Sequence, residues 1–552
     1  MKKTMSMLKL LLTTLLTSGL FILNAQENSS IQKNYNLEIL DGESCTSIMV
    51  GKKASTDGSV ITSHTCDGRY RTWMTIEPAC DYKRGELHTV YKGTMHTSYR
   101  GDTTGVRISG TIPQVAHTFS YLNTAYPCLN EKQLAIGEAT FGGPDTLVNP
   151  DAMFMIEELE RVALMRCDNA RDAIRLIGSL IKQYGYADAG ECITIADRYE
   201  VWEMEILGEG RDRIGGIWAA QRIPDDHVGV NANIPRIGRL QRNNPEFFMC
   251  SDNIEQTAIR YGFWDGSGEF IFWRAFCPSY ANGKNFRERE YFIFNSLAPS
   301  LGLSMDMDEL PLSIKPDQNV DVTDVMQLLR STYEGTDMDM CRNIKSVSNR
   351  KNVNGEIVRD TIISPLANPW MTSAMQSTLN YLHPATVEFK RTVSVAWCSY
   401  SFVAQLRDWL PDEVGGVCWM AVDNPGQSPR VPIFCGTTRL PSAYNICGQK
   451  NYNENAVLWQ YRKANKLATI AWQRTRKGMM QEVMNQEKQA FDGLAQLERS
   501  VKSLKALEDE SYDPSTQIAN ILNDYTYRVY DNTAYAWKQL EQKYWQMFGM
   551  GF

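Results

Sequence analysis

The sequence predicts an α+β fold in which helices pack on β-sheets in layers. Three features indicate it: a strand pair that begins at Cys45, two adjacent helical segments followed by four strand-like segments, and helical composition from Asn453 onward. Helices and sheets each bury one apolar face, so this order of elements is typical of helices stacked on a sheet. No internal repeat or low-complexity linker interrupts residues 45–552, and we expect one elaborated domain with a mainly helical segment at 450–552.

The first 25 residues have the pattern of a secretory signal peptide. Lysines precede the apolar run LLLTTLLTSGLFIL, and the small residue Ala25 follows it. The run is short and interrupted by Thr and Ser, which favours a signal peptide over an uncleaved membrane anchor. Leu23 is bulky for a cleavage motif, so the cleavage point stays open. We therefore expect a secreted or periplasmic protein with no membrane span after removal of residues 1–25.

Residues 26–44 are polar and weakly patterned, and we interpret them as a propeptide. The pattern changes at Cys45. Residues 47–50 and 59–62 are strand-like, and the stretch GKKASTDGS between them contains two glycines. A hairpin that starts at Cys45 is therefore predicted.

The next elements are a strand and two helices. Residues 130–143 have a strand-like centre that ends in a glycine turn. Asp151 is a suitable N-cap for a helix that continues through residues 163–164. A second helix is predicted after Asp168, with isoleucines on one face and Gly185 just past its end.

Strand-like and helical segments alternate in the rest of the chain. Four closely spaced strands are predicted in ECITIAD, VWEMEIL, IWAAQRI and VGVNANI. Residues 239–345 are charge-mixed and indicate helical and loop insertions, whereas residues 391–425 return to strand character. From Asn453 the chain is rich in Lys, Glu, Gln and Ala, and Pro514 is the one clear interruption of the helical pattern.

Composition excludes several classes of partner and cofactor. A net charge of −7 and a pI of about 5.6 argue against nucleic acid. Six histidines occur without an HExxH motif or Cys/His pairs at zinc spacing, so we predict no metal site and no cofactor. The thirteen cysteines leave at least one unpaired or intermolecular. The others could form disulfides or be buried thiols, and no spacing decides between these.

Cys45 is the candidate nucleophile. If the chain is cleaved before it, its thiol and its own α-amino group lie on one residue. An unperturbed thiol has a pKa of about 8.5 and an α-amino group one of about 7.7–8.0, so the amine can accept the thiol proton near neutral pH. Such a pair needs no distant histidine. The alternative is an ordinary buried cysteine or a disulfide partner.

Four stretches resemble the secreted cysteine dipeptidases, which are N-terminal-nucleophile hydrolases related to choloylglycine hydrolases, penicillin V acylases and secernins. They are CTSIMVGKKASTDGSVI, PQVAHTFSYLNTAYPCLNEKQLAIGEATFGG, WAAQRIPDDHVGVNANIPRI and YSFVAQLRDWLPDEVGGVCWMAV. The resemblance runs in family order from Cys45 to about Gly436. It implies a four-layer αββα sandwich with helical insertions, autocatalytic exposure of Cys45, and hydrolysis of dipeptides.

Two residues match site positions of the superfamily, and each assignment has an alternative. Asp67 falls where the superfamily has an aspartate near the nucleophile's amino group, and a turn-capping role before Gly68 is the alternative. Asn233 matches the superfamily's oxyanion asparagine, whose NH2 group is a suitable donor. Asn231 is close enough to compete with it.

Three further positions match less directly. Thr140 falls where the bile-salt enzymes place a second asparagine, and its hydroxyl or backbone N–H could replace that group. The alternative is an ordinary strand-end threonine. Arg289 is the candidate for the arginine near the nucleophile, with Arg287 as its competitor. His64 lies where relatives more often have an arginine, which puts a cationic role at this position in doubt.

The sequence thus predicts a dipeptidase that uses Cys45, Asp67, Asn233, Thr140 and Arg289 on small peptides. A bile-salt or N-acyl amide hydrolase of the same superfamily is one alternative, and a non-catalytic peptide-binding relative is another. Side-chain preference and oligomeric state stay open.

Overall fold

The computed structural model describes residues 44–279 and 287–550. The predicted signal peptide and all of the predicted propeptide except Ser44 lie outside these residues. The described residues divide into two units, a larger one of residues 44–370 and 388–550 and a smaller one that includes residues 371–387.

Twenty-one strands occur in the described residues, numbered in chain order. They are β1 Ser47–Val50, β2 Val60–Asp67, β3 Thr75–Glu77, β4 Cys80–Asp81, β5 Leu87–Lys92, β6 Arg107–Pro113, β7 His117–Thr118, β8 Tyr121–Asn123, β9 Leu129–Asn130, β10 Ala135–Thr140, β11 Gly190–Ala196, β12 Val201–Gly208, β13 Gly216–Arg222, β14 Val228–Asn231, β15 Phe248–Cys250, β16 Ser313–Ile314, β17 Lys345–Lys351, β18 Ile357–Ile363, β19 Cys398–Leu406, β20 Val417–Val422 and β21 Val431–Phe434.

Twelve α-helices occur in the same part of the chain. They are α1 Ile156–Arg166, α2 Ala170–Tyr184, α3 Ile254–Arg260, α4 Phe272–Phe276, α5 Arg287–Leu297, α6 Val322–Leu329, α7 Ser373–Leu382, α8 Asp412–Gly415, α9 Val457–Ala468, α10 Trp472–Asp492, α11 Leu494–Lys505 and α12 Ser515–Gly549.

Two large sheets form the core of the larger unit. The first has seven strands in the order β16-β14-β1-β2-β19-β20-β21, and the second has eight in the order β15-β13-β12-β11-β10-β9-β8-β3. The predicted hairpin is confirmed: β1 pairs antiparallel with β2. Because β14 and β19 flank this hairpin, the strands after Cys45 lie inside the sheet and are fully buried.

The two sheets pack face to face. The Thr62 and Thr194 hydroxyl oxygens, on β2 and β11, are 2.6 Å apart. At Gly137 on β10 an added Cβ would lie 2.7 Å from the carbonyl oxygen of Ser63, so only glycine permits this approach. Strand β10 therefore lies directly against the hairpin that follows Cys45.

Helices pack against both sheets. Helix α2 contacts β11, β12 and β13 of the eight-stranded sheet, whereas α9, α10 and α12 contact β20 and β21 of the other. The Phe491 ring on α10 stacks on Trp419 of β20 at 4.2 Å between centroids. This mixed α and β architecture with a helical C-terminal segment agrees with the predicted fold class, and the specific αββα hydrolase sandwich stays a prediction.

The boundaries of the first two helices differ in how well they were predicted. Helix α2 begins after Asn169, whose side chain accepts from the Asp172 N–H, and ends before Gly185 at φ 82°. The prediction that Asp151 caps the preceding helix is wrong. Helix α1 begins five residues later, with Met155 as its N-cap, because a short 3₁₀ helix at residues 145–147 and a turn with bends at residues 150–153 occupy this stretch instead.

The smaller unit contributes α7 to the described residues. Its N-cap is Thr372, whose side chain accepts from the Met375 N–H. From within the helix, the Asn380 side chain donates to the Val387 carbonyl and accepts from the Val387 N–H.

All thirteen cysteines lie in the described residues, and none forms a disulfide. Ten are buried, so the alternative of buried thiols describes most of them. No helix in the described ranges combines the length and apolar character needed to cross a membrane.

Candidate active site

Cys45 lies two residues before β1, between the two sheets, and only 1% of its surface is exposed. Its thiol donates to Oε2 of Glu138 on β10, with 3.2 Å between Sγ and the oxygen. Burial raises the pKa of the Cys45 thiol, and the negative charge of Glu138 raises it further. In the uncleaved chain the thiol is therefore held in its protonated form next to a carboxylate.

Asn233 binds the backbone nitrogen of Cys45. The Cys45 N–H donates to Oδ1 of Asn233 at 3.0 Å, and Nη2 of Arg289 donates to the same oxygen at 2.8 Å. Two donors on one atom fix the orientation of the amide. Its Nδ2 donates to the Thr140 carbonyl at 2.6 Å, which leaves the second amide hydrogen for another acceptor.

Asn231, the competitor of Asn233, lies one step further from Cys45. Its Oδ1 accepts from the backbone N–H of Asn233 at 3.1 Å, where Asn233 has a left-handed backbone with φ 64°. Its Nδ2 donates to Oε1 of Glu203 at 3.0 Å. Asn231 thus holds the turn that carries Asn233, and only Asn233 contacts Cys45.

Arg289 reaches Cys45 from helix α5 and is fully buried. Its Nη1 donates to the Cys45 carbonyl at 2.5 Å, and its Nη2 donates to the Ala232 carbonyl at 2.7 Å. Burial, reinforced by the charge of Arg391, lowers the pKa of Arg289 to about 9. The competing Arg287 instead donates to the carbonyls of residues 307 and 308.

Asp67 ends β2 and holds the residue before Cys45. Its carbonyl accepts from the Ser44 N–H at 3.1 Å. Its Oδ2 accepts from Nη2 of Arg391 at 2.7 Å, and the same nitrogen donates to the Ser44 hydroxyl at 2.5 Å. In the uncleaved chain the Cys45 nitrogen contacts Asn233, while the Asp67 carboxylate is paired with Arg391.

Thr140 faces two carboxyl groups with its hydroxyl. Its Oγ1 lies 2.6 Å from Oε1 of Glu138 and 3.2 Å from Oε2 of Glu191, the residue opposite it on β11. Burial, and then the charge of Glu138, raises the pKa of Glu191 well above its usual value. The Thr140 hydroxyl is therefore bound to Glu138 and Glu191, and the carbonyl of Thr140 supports Asn233.

Comparison with known proteins identifies the family. The family model described as Peptidase family C69 matches residues 44–486. The chain belongs to peptidase family C69. It is 25% identical over 428 residues to a probable dipeptidase of Latilactobacillus sakei, covering 75% of this chain and 78% of that protein. It is 25% identical over 420 residues to a probable dipeptidase of Salmonella dublin, covering 71% of this chain and 81% of that protein. A probable dipeptidase B of Streptococcus pyogenes serotype M1 is 22% identical over 443 residues, covering 77% of this chain and 78% of that protein.

The surroundings of His64 in this C69 chain favour a neutral ring. Its Nδ1 lies 2.7 Å from the Glu138 carbonyl oxygen, and burial lowers the pKa of the ring. Burial therefore disfavours the cationic role that the sequence had already put in doubt at this position. The imidazole instead binds the backbone of Glu138 across the space between the sheets.

Within residues 44–279 and 287–550, Cys45, His64 and Glu138 form a group that could hold a metal ion. Ligand atoms of Cys45, His64 and Glu138 lie within 4.8 Å of one another. Thiolate, imidazole and carboxylate are donors that Zn²⁺ accepts. The prediction that this enzyme needs no metal stays a prediction.

The structure thus brings all five sequence-predicted residues of this C69 chain together, and it adds Glu138, Glu191 and Arg391. The two glutamates had a signal in the sequence: each is an acidic residue in a strand otherwise made of apolar and small residues. Arg391 had none, because it only begins a stretch of strand character and meets Asp67 through the fold.

Proposed function

We propose that this C69 chain is a secreted or periplasmic dipeptidase whose nucleophile is Cys45, exposed as the N-terminal residue by self-cleavage after Ser44. The observation that carries the proposal is the environment of Cys45. Its thiol, nitrogen and carbonyl are each held by a side chain from a different part of the fold, Glu138, Asn233 and Arg289. The family match, which begins at residue 44, and the names of the relatives support it.

Cleavage supplies the base for catalysis. A free α-amino group on Cys45 is close enough to take the thiol proton, and its positive charge then favours the thiolate. The thiolate attacks the carbonyl carbon of the dipeptide and forms a tetrahedral oxyanion. The remaining amide hydrogen of Asn233 is a donor for that oxyanion. The amine then leaves, and water hydrolyses the thioester.

Cleavage also opens the site. Cys45 is buried in the uncleaved chain, and Ser44 is held beside it by Asp67 and Arg391. A surface cavity of about 450 Å³ near Cys435 and Lys505 contains none of the site residues. Removal of the residues before Cys45 is therefore the step that we expect to admit a substrate to the thiol.

The first test is the N-terminal residue of the purified protein. Intact mass should show a chain that begins at Cys45, and Cys45→Ala should retain Ser44 and lack activity. A wild-type protein that is fully active with residues 26–44 still attached would contradict the proposal.

The second test is a parallel assay of the processed protein on four substrate classes: unmodified dipeptides, the same dipeptides N-acetylated, a glycine-conjugated bile acid and penicillin V. We expect hydrolysis of the unmodified dipeptides, sharply reduced by acetylation because that removes the substrate's ammonium charge. Preferential cleavage of the bile conjugate or of penicillin V would reject the dipeptidase and retain Cys45 as nucleophile. Binding without turnover would favour a non-catalytic relative.

A further inference from the structure

The self-cleavage step lacks the base that the mature enzyme uses. Before cleavage the nitrogen of Cys45 is a peptide amide that donates its hydrogen to Asn233. An amide nitrogen carries no basic lone pair, and the α-amino group does not yet exist. Another group near Sγ must therefore take the thiol proton during maturation.

Glu138 is placed to take it. Its Oε2 is 3.2 Å from Sγ, a contact length normal for a thiol that donates to an oxygen, and both groups are buried. The nearby Asp67 carboxylate is instead paired with Arg391. The His64 Nδ1 is bound to the Glu138 carbonyl, and burial lowers the pKa of the ring, which makes its other nitrogen a weak base. The site thus directs the thiol hydrogen at Glu138.

Besides His64, two contacts hold Glu138 in this position. The Ser47 hydroxyl donates to its carbonyl oxygen at 3.2 Å from β1, the strand that follows Cys45. The Thr140 hydroxyl lies 2.6 Å from Oε1, the other oxygen of the same carboxyl group. Both the backbone and the carboxyl group of Glu138 are therefore fixed relative to Cys45.

A neighbouring carboxyl group shares the Thr140 contact. The Thr140 hydroxyl has one hydrogen and lies between the carboxyl groups of Glu138 and Glu191, so it can donate to only one of them. The contact with Oε1 of Glu138 is the shorter, at 2.6 Å against 3.2 Å to Glu191. Burial raises the pKa of Glu191 well above its usual value, which favours a protonated Glu191 that donates to the hydroxyl oxygen. Thr140 thus binds Oε1 of Glu138 as an acceptor, while Oε2 of the same group lies next to Sγ.

We propose that Glu138 is the general base of the self-cleavage reaction, a catalytic residue for maturation whose task passes to the α-amino group of Cys45 afterwards. This proposal rests on the proposed self-cleavage after Ser44.

The step balances in protons and bonds. Glu138 takes the thiol hydrogen as Sγ attacks the Ser44 carbonyl carbon. The C–N bond to Cys45 breaks as the nitrogen receives that proton from the carboxylic acid, giving a free amine and a thioester between Ser44 and Sγ. Water then hydrolyses the thioester to the Ser44 carboxylate and the thiol, and the net change is the addition of one water.

The test separates maturation from turnover. Full-length wild type and Glu138→Gln are made by cell-free synthesis, and cleavage before Cys45 is followed by intact mass. In parallel, a ubiquitin-like protein is joined directly to Cys45 of both chains in place of residues 1–44. Its own protease then releases a chain that begins with Cys45, which is the mature chain under this proposal. Dipeptide turnover is measured on the released chains.

We expect Glu138→Gln to slow cleavage by about a hundredfold or more, the usual contribution of a general base. Turnover by the released Glu138→Gln chain should fall by far less, by about tenfold at most. The matched control is Glu157→Gln, which neutralises another fully buried glutamate whose Oε1 accepts from the Gly93 N–H instead. The control should mature at the wild-type rate.

The pH dependence of cleavage adds a readout that a structural role would not move. In Glu138→Gln no carboxylate remains at this position to accept the thiol proton. The cleavage rate of this variant should therefore rise only as the thiol itself ionises at alkaline pH. Circular dichroism checks the fold, and Glu138→Asp, with a shorter side chain, replaces the variant if the glutamine form does not fold.

Three results would overturn the proposal. Cleavage of Glu138→Gln at the wild-type rate would remove Glu138 as the base. Equal losses of cleavage and turnover would assign it a structural role. Cleavage of Glu138→Gln with an unchanged pH profile would also contradict it. Failure of the wild type to cleave before Cys45 would instead refute the proposed self-cleavage itself, a separate outcome seen in the same experiment.

Discussion

Asn233 has two functions in the site through opposite ends of one amide. Its oxygen accepts from the Cys45 nitrogen and from Arg289, and its nitrogen donates to the Thr140 carbonyl. The orientation of this side chain is therefore set before any substrate binds. One remaining N–H can point at a developing oxyanion without reorganisation, which is the condition under which such a donor is most effective.

Replacement of Asn233 by alanine should lower kcat by about a hundredfold or more, because one oxyanion donor is lost. The measurement is steady-state kinetics on chains released with Cys45 as the first residue, so that a maturation defect does not enter. Asn354→Ala, at an exposed hairpin turn, is the control and should have wild-type kcat. A kcat near wild type in folded Asn233→Ala would exclude the residue from catalysis and direct attention to Asn231.

Asp67 and Arg391 form an ion pair in the core of the same site. The Asp67 side chain is fully buried and the Arg391 side chain is 10% exposed. Loss of one partner of a buried pair leaves an uncompensated charge, whereas loss of both does not. The two side chains should therefore depend on each other for stability.

We predict that Asp67→Asn and Arg391→Met each destabilise the Cys45→Ala chain by about 3–5 kcal/mol, and that the double variant loses less than the sum. Urea unfolding of the uncleaved chain measures this. The surface pair Lys52 and Asp408, each about a third exposed, is the control, with a coupling of about 0–1 kcal/mol expected. Additive losses at Asp67 and Arg391 would show that the pair is not coupled.

At the scale of elements, helix α2 lies close to the eight-stranded sheet at Gly178. A Cβ added there would lie 2.4 Å from the indole ring of Trp218 on β13. The helix axis can approach the sheet this closely only because residue 178 has no side chain. Gly478 on α10 is also a helical glycine, but a Cβ there would meet nothing within 4 Å.

The two glycines should respond to the same substitution with opposite sign. Gly178→Ala should destabilise the chain by about 1–3 kcal/mol through overpacking. Gly478→Ala should stabilise it by about 0.5–1 kcal/mol, since alanine loses less backbone freedom in a helix. Thermal and urea unfolding compare them directly. Equal effects of the two would refute the packing of α2 on Trp218.

Elements with a local pattern could be predicted from the sequence, and contacts between distant segments could not. The hairpin of β1 and β2, the strands β11 to β14 and helix α2 follow from residues that lie next to one another in the chain. The predicted N-cap at Asp151 was wrong because aspartate favours turns as well as helix N-caps. Of the site, a family resemblance located Arg289, whereas Arg391 is brought to Asp67 from 324 residues away by the pairing of β19 with β2.

At the scale of the whole molecule, the core contains many carboxyl groups. Burial raises the pKa of Glu203 and of Glu157 to about 7. An unfolded glutamate has a pKa of about 4.3, so between these values the folded chain binds more protons than the unfolded chain. The contribution of each group to stability is therefore fully present below about pH 4.3 and is lost as the pH rises to about 7.

We predict that the free energy of unfolding of Glu203→Gln, made in the Cys45→Ala chain, rises relative to that of the Cys45→Ala chain alone as the pH rises from 5 to 8. The glutamine can still accept from Asn231, but it does not ionise inside the core. Urea unfolding at several pH values in the Cys45→Ala background measures the difference. Gly478→Ala changes no titrating group and should show a constant difference. A constant difference for Glu203→Gln as well would contradict the assigned titration.

The position of β1 and β2 inside the seven-stranded sheet also affects the order of events during biosynthesis. The hairpin is enclosed by β14 on one side and by β19, which ends at Leu406, on the other. Synthesis of the roughly 360 residues from Cys45 to the end of β19 takes about 20 to 70 s at roughly 5–20 residues per second. During that time the ribosome has not yet supplied the strands that enclose the thiol. If cleavage before Cys45 needs the enclosed site, as the proposed self-cleavage does, we expect it to wait until most of the chain has been translated.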